Sequence, residues 1–231
     1  EDDVTLYNVI YTALESTWYA YGLPPSLADT RTPTHTVFDH LYAATTMANI
    51  VDFDRDEYRF KGFYVVIDFP GIQRFIGSSR KAGDFWASSW LLSNTIWGII
   101  DSFVKIYGFD IALSPTPRLN PYSLKSLKIN KNEVEELKDI FAKAYGVSKS
   151  DIEWFMNQPI IPATTTMILP SIDFKTCEEV AEKISKAYLN SWRIVVDSIL
   201  RGLNPAIEGL KKGAAGYLYK KLKQVEDIIS M

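Results

Sequence analysis

Val66–Ser93 reads VIDFPGIQRFIGSSRKAGDFWASSWLLS, and the fold turns on how this stretch begins. With the residues just before it, Phe63–Phe69 (FYVVIDF) is a short aromatic and β-branched run between Gly62 and Pro70. Such a run between breakers predicts a buried strand. Pro70-Gly71 is a turn signal. After it the period changes: Phe85, Trp86, Trp90, Leu91, Trp97, Ile100, Phe103 and Val104 recur at helical spacing. A long helix is expected there, broken near Gly77 or Gly83.

Further downstream, Phe109–Leu113 predicts a short strand and Ser114–Pro121 a proline-rich loop. Asn132–Tyr145 predicts an amphipathic helix with Val134, Leu137, Phe141 and Ala144 on one face. Ala163–Leu169 (ATTTMIL) reads as another strand, and Phe174–Leu203 as a long helix stopped by Gly202 and Pro205. A last helix is expected over Ala206–Ile229, with no further strand in that tail. Upstream, Glu1–Tyr21 reads as a helix ended by Pro24-Pro25, followed by a second helix near His35–Ile50 and a charged linker, Asp52–Glu57. The fold class is α+β. From Phe63 onward the order is strand, helix, strand, helical insertion, strand, helix, which is the βαββαβ ferredoxin-like plan without its final strand. The expected division is a helical segment over 1–58 and a sheet-bearing domain over 59–231.

Of the 231 residues 47% are hydrophobic, ample for a packed core. The balance of 25 basic against 28 acidic residues, net -3, argues against gripping nucleic acid through a strong overall field. A lone cysteine, Cys177, precludes an internal disulfide and fits a reducing, cytoplasmic setting; no basic or histidine neighbour in sequence gives it a catalytic role. No run approaches the ~18–20 apolar residues of a membrane helix, so no membrane partner is expected. The chain starts at Glu1 rather than methionine, as a piece of a larger protein would.

Asp68 carries the sharpest chemistry. A carboxylate at a strand end is an oxygen ligand for Mg²⁺ near a triphosphate. Gly71 permits close backbone approach, and Ser78, Ser79, Arg80 and Lys81 follow where helix-start amides and cations meet phosphates. The alternative reading is plainer: Asp68 as a cap, and Arg80-Lys81 as a solvated face. His35, Asp39 and His40 suggest a second metal site, with His35 and Asp39 one helical turn apart. Two histidines in the whole chain are too few for a histidine-rich metal centre, so Asp39-His40 also reads as a structural pair, and Asp29 with Arg31 as a loop ion pair. Trp86, Trp90 and Trp97 share a helix face, which marks core rather than a base-stacking platform.

DFPGIQRFIGSSRKAGDFWASSWLLS resembles the first palm domain of the large subunit of type III CRISPR–Cas effector complexes. Phe69 stands where that family has Ile, Phe85 where it has Leu, and Ser88 where it has Gly. Leu27–Leu41 (LADTRTPTHTVFDHL) is similar to the stretch closing that family's HD-type domain, and Pro159–Pro170 with the helix bearing Trp192 is also similar to the first palm. The likeness covers most of the chain and thins over Asn120–Gln158. It implies a palm, or nucleotidyl-cyclase-like, domain that holds one ATP with Mg²⁺ against a second palm of the same protein. Asp68, Gly71, Ser78, Ser79, Arg80 and Lys81 would bind the nucleotide, and Asp68 and His40 are the candidate metal ligands. In the family the catalytic metals sit mainly on a Gly-Gly-Asp-Asp hairpin of the second palm. The motif is absent from this sequence, so no catalytic residue is expected here and the piece should be inactive alone. Other complex subunits, and indirectly CRISPR RNA and target RNA, are the implied partners. The competing readings are an assembly module with no ligand of its own and an HD phosphohydrolase, the latter disfavoured by the histidine count.

Overall fold

Side-chain caps set where several helices begin. A computed structural model describes residues 3–29, 34–54, 57–208 and 217. Helix α1 spans Asp3–Ala20 and α2 spans Val37–Ala48. Helix α2 starts on a capping box, in which Thr36 accepts from the Asp39 amide while Asp39 accepts from the Thr36 amide. His35 therefore precedes the helix instead of sharing a helical face with Asp39. The charged run expected as a linker is a β-hairpin: β1 (Val51–Asp54) pairs antiparallel with β2 (Glu57–Phe60), Val51 opposite Phe60 and Phe53 opposite Tyr58. The alternation Val51-Phe53 and Tyr58-Phe60 is a strand signal that the interleaved charges conceal.

Strand β3 (Gly62–Asp68) enters the main sheet. The helix expected after it is two helices, α3 (Ile72–Gly77) and α4 (Ala82–Tyr107), with the break beginning at Gly77. The strand expected over Phe109–Leu113 opens instead as a 3₁₀ turn, Phe109–Ile111, and only Ala112–Ser114 is extended as β4. The cause lies in α1: Asn8 Nδ2 donates to Val104 O at 2.9 Å, and Asn8 Oδ1 accepts from the Phe109 amide at 2.8 Å. Both the end of α4 and the turn after it are thus clipped to one side chain about a hundred residues earlier.

The insertion holds α5 (Ser123–Ser126), α6 (Lys131–Tyr145) and α7 (Lys149–Met156). Asn130 with Glu133 and Ser148 with Asp151 form capping boxes, and Gly146 ends α6 at φ 67°. Strand β5 (Thr164–Pro170) pairs antiparallel with β3 from Gly62↔Pro170 to Asp68↔Thr164, and with β4 on its other side, giving the order β3-β5-β4. Helix α8 runs Cys177–Glu208, through Gly202 and the Pro205 expected to stop it. A proline forfeits one backbone bond and here does not take the chain off the helical path. The strandless tail and the helix expected over Ala206–Ile229 lie, past Glu208, outside the described residues, as does Arg31.

The sheet buries one face. Val65, Ala112, Met167 and Leu169 join Ile96, Ile99, Ile100 and Phe103 of α4 in the core, and Val180 and Ala187 of α8 belong to the same cluster. Tyr11, Phe38 and Tyr42 of the first two helices belong to it too. The other sheet face is open: Tyr64 is 70% exposed and Val66 55%. Phe63–Phe69 is therefore a half-buried strand with period-two alternation, not a fully buried one. Helix α1 turns its hydrophilic side inward. Thr5, Asn8, Thr12, Glu15 and Ser16 are buried, whereas Leu6, Ile10 and Leu14 are exposed.

Candidate functional site

Asp68 is the last residue of β3, solvent-exposed, and directly opposite Thr164 of β5. Thr164 Oγ1 donates to Asp68 Oδ1 at 2.8 Å, which orients the carboxylate and leaves Oδ2 without a donor among the described residues. Three residues on, Gly71 adopts φ 79°, a left-handed conformation that glycine enters without strain. The turn redirects the chain into α3, whose first bond runs from the Phe75 amide to Gly71 O at 2.9 Å. Ser78 ends α3 and spends its hydroxyl on Phe75 O at 2.7 Å. Ser79 lies half-buried, its hydroxyl 3.4 Å from that of Ser88. Ser78–Lys81 thus form the link between two helices, with Lys81 at the N-cap of α4, and not successive turns of one helix. Arg80 and Lys81 are exposed and have no carboxylate partner among the described residues.

Beneath the turn, Phe69, Gly71, Phe75, Leu92, Tyr188 and Trp192 line an apolar hollow of about 180 Å³. On its wall the Trp192 indole N–H is buried and has no acceptor among the described residues. Trp97 is core as expected, at 4% exposure, with its N–H on Ser126 Oγ at 3.0 Å. Trp86 is not: it is 45% exposed and stacks on Trp90 at 6.4 Å between centroids. The helix face they share runs out past the edge of the core, so equal spacing does not give equal burial.

His40 lies on α2, exposed, its ring stacked 6.2 Å from that of His35. Its neighbour Asp39 is committed elsewhere. Arg118 bonds Asp39 through Nη1 and grips Glu15 through Nε and Nη2, the last at 2.6 Å. The guanidinium also lies 5.2 Å from the Tyr42 ring centroid. Partial burial would raise the Asp39 carboxyl, but hydrogen bonds from Arg118 and Thr36 outweigh it and hold the group at about 2. Among the described residues no group of three or more His, Cys, Asp or Glu side chains is placed to hold a metal ion. Asp68 alone still suits Mg²⁺ in the way that ion is commonly held, by one or two carboxylates with phosphates and water completing the shell.

The sequence singled out neither Thr164, which orients Asp68, nor Arg118, which occupies Asp39. A threonine in a TTT run carries no mark of its cross-strand partner, and an arginine in a proline-rich loop carries none of the buried glutamate it neutralises.

The profile of the family "CRISPR-associated protein Cmr2, N-terminal" matches residues 64–197, more than half of the chain. The CRISPR system CMR subunit Cmr2 of Saccharolobus solfataricus is 30% identical over 217 residues, covering 85% of this chain and 20% of that protein. The Cmr2 subunit of Pyrococcus furiosus is 33% identical over 98 residues, covering 42% of this chain and 10% of that protein. A solved structure described as "Cryo-EM structure of the Type III-B Cmr-beta bound to cognate target RNA" contains a chain that superposes with TM-score 0.76 at 28% identity, over 94% of this chain and 23% of that one. The chain thus spans about a fifth of the length of the first of these relatives.

Proposed function

Because the chain belongs to the Cmr2 N-terminal family of CRISPR-associated proteins, we propose that it supplies one wall of a nucleotide site in the large subunit of a type III RNA-guided effector. One observation carries this reading. Asp68 ends its strand in the open, oriented by Thr164 with one oxygen free, just before a left-handed glycine turn. The order β3-β5-β4 supports a palm: it matches the first, third and second strands of a βαββαβ unit, with no strand on the other side of β3 among the described residues. Asp68 would hold Mg²⁺ and, through it, phosphate oxygens. Arg80 and Lys81 would neutralise the remaining phosphate charge, and the hollow beside Gly71 has the apolar lining that suits a base. The rest of the site, including the catalytic carboxylates, would come from a second palm of the same protein. Residues 1–58 would then be the tail of an HD-type region, with His40 as a ligand only if further ligands come from elsewhere.

Calorimetric titration of the chain with ATP and Mg²⁺ tests it. Weak binding is expected, lost in Asp68→Asn and Arg80→Ala and sharply reduced in Ser79→Ala. Binding untouched by all three variants would move the site elsewhere. With no Gly-Gly-Asp-Asp sequence, no oligoadenylate should form from ATP with Mg²⁺ or Mn²⁺.

A second reading, an assembly module without a ligand, is favoured by a separate observation. Phe53, Tyr58 and Phe60 of the hairpin and Leu6, Ile10 and Leu14 of α1 all stand 42–73% exposed, apolar surface of a kind that marks contact with other protein. Absence of any ATP signal, together with these faces becoming protected from hydrogen exchange in the assembled complex, would select this reading over the first.

A further inference from the structure

Helices α4, α5 and α8 enclose a second cavity, of about 520 Å³, that shares no residue with the Asp68–Lys81 segment. Its shape follows from a close helix crossing. A Cβ on Gly98 would lie 2.1 Å from Ser191 Oγ, and Ser191 Oγ donates to Thr95 O at 2.8 Å. Helices α4 and α8 touch there, and the space opens beside the contact where Lys125 of α5 reaches in.

Several donors on this wall have no partner among the described residues. The Lys125 ammonium sits 4.1 Å from the Tyr122 ring centroid and has no carboxylate partner among the described residues. Asp101, also on the wall, is neutralised by Lys105 at 2.6 Å. Among the described residues the Asn190 amide and the Trp90 indole N–H have no acceptor. Ser102 and Ser198 turn their protons inward to Ile99 O and Ile194 O, and Arg201 approaches Ser198 Oγ at 3.5 Å, adding a second cation beside the wall. A hollow with an ammonium that no carboxylate pairs, N–H groups to spare and a cation nearby is matched by a ligand rich in acceptors.

We propose that this cavity binds a small phosphate-bearing anion, with Lys125 as its counter-ion and Asn190 as a second donor. Surrounding protein lowers the Lys125 ammonium to about 8, although the group still opens onto the cavity. A bound anion would restore its charge, so binding near pH 8 should take up protons.

The test is calorimetric titration of the whole chain with inorganic phosphate and, separately, AMP, at pH 8 in two buffers of different ionisation enthalpy. Saturable one-to-one binding with proton uptake is expected. Lys125→Gln should weaken it about tenfold or more, and Asn190→Leu several-fold, while Lys143→Ala, which removes an exposed cation of α6 outside the cavity lining, leaves it unchanged. Tighter binding of AMP than of phosphate would show that the cavity also holds the ring; equal affinity would show that the phosphate alone is recognised. The proposal is overturned if neither ligand saturates, if Lys143→Ala abolishes binding, or if Asn190→Leu has no effect. This last variant keeps the test decisive should Lys125→Gln fail to fold.

Discussion

The Glu15–Arg118–Asp39 knot and the Asp68–Lys81 segment both assemble carboxylates and cations, and they use them in opposite ways. In the knot, Glu15 is 1% exposed and both its oxygens are held by one guanidinium, whose remaining arm takes Asp39. Nothing is left to offer a ligand. In the segment, Arg80 and Lys81 are exposed without counter-ions among the described residues and Asp68 has one oxygen engaged. Burial of a charge demands a full set of partners, so the buried cluster is committed to the fold, and only the exposed one retains capacity for binding. Asp39, the carboxylate beside His40, already belongs to the knot.

The contrast can be broken most easily at Arg118. Arg118→Ala leaves Glu15 buried and uncompensated, and should cost ~3–5 kcal/mol, read from the urea midpoint. A loss no larger than that of an ordinary surface substitution would show that the knot is not structural. Asp39→Asn should cost less, ~1–2 kcal/mol, because Glu15 keeps its partner while the cap and one charged bond are weakened. Its pH signature has a definite sign. Asp39 is held at about 2, below the 3.8 of the unfolded chain. Its stabilisation is complete above 3.8 and disappears as the pH falls through 2. The variant should therefore lose less stability than the parent between those values in acid titrations followed by circular dichroism.

Lys125 lies between the two extremes, partly desolvated yet without a counter-ion among the described residues, and sharpens the comparison. Its folded value of about 8 is below the ordinary 10.5, so between these values the unfolded chain binds more protons and stability should rise with pH. Lys125→Met should remove that rise, and thermal melts at pH 7.5 and 10 would show it. A parent chain whose stability is flat over this interval would place the ammonium in bulk water. The smallest effects belong to the segment: Asp68→Asn and Arg80→Ala should each stay within ~0.5 kcal/mol of the parent, even while nucleotide binding changes. A large loss of stability in either would make these residues structural and erase the contrast.

Much of the fold was legible because it is local. Phe63–Phe69 and Ala163–Leu169 announced strands by composition and flanking breakers, and the long stretches between them announced helices by period, giving α+β. The family resemblance was carried by contiguous residues, and the profile match over residues 64–197 bears it out. The hairpin was missed because charges interleave its apolar alternation, and α7 because eight residues make a weak periodic signal.

What the sequence by itself determined is therefore the element types, the turn at Pro70-Gly71 and the exposure-prone motif around Asp68, all set by residues within a few positions of each other. Tertiary structure alone decided which charges remain available. It placed Arg118 on Glu15, 103 residues away, and Thr164 on Asp68, 96 away; it turned the polar side of α1 inward, and it brought Lys125 between two helices distant in the chain. Those outcomes depend on desolvation and pairing, which are properties of where side chains end up and not of the order in which they are joined.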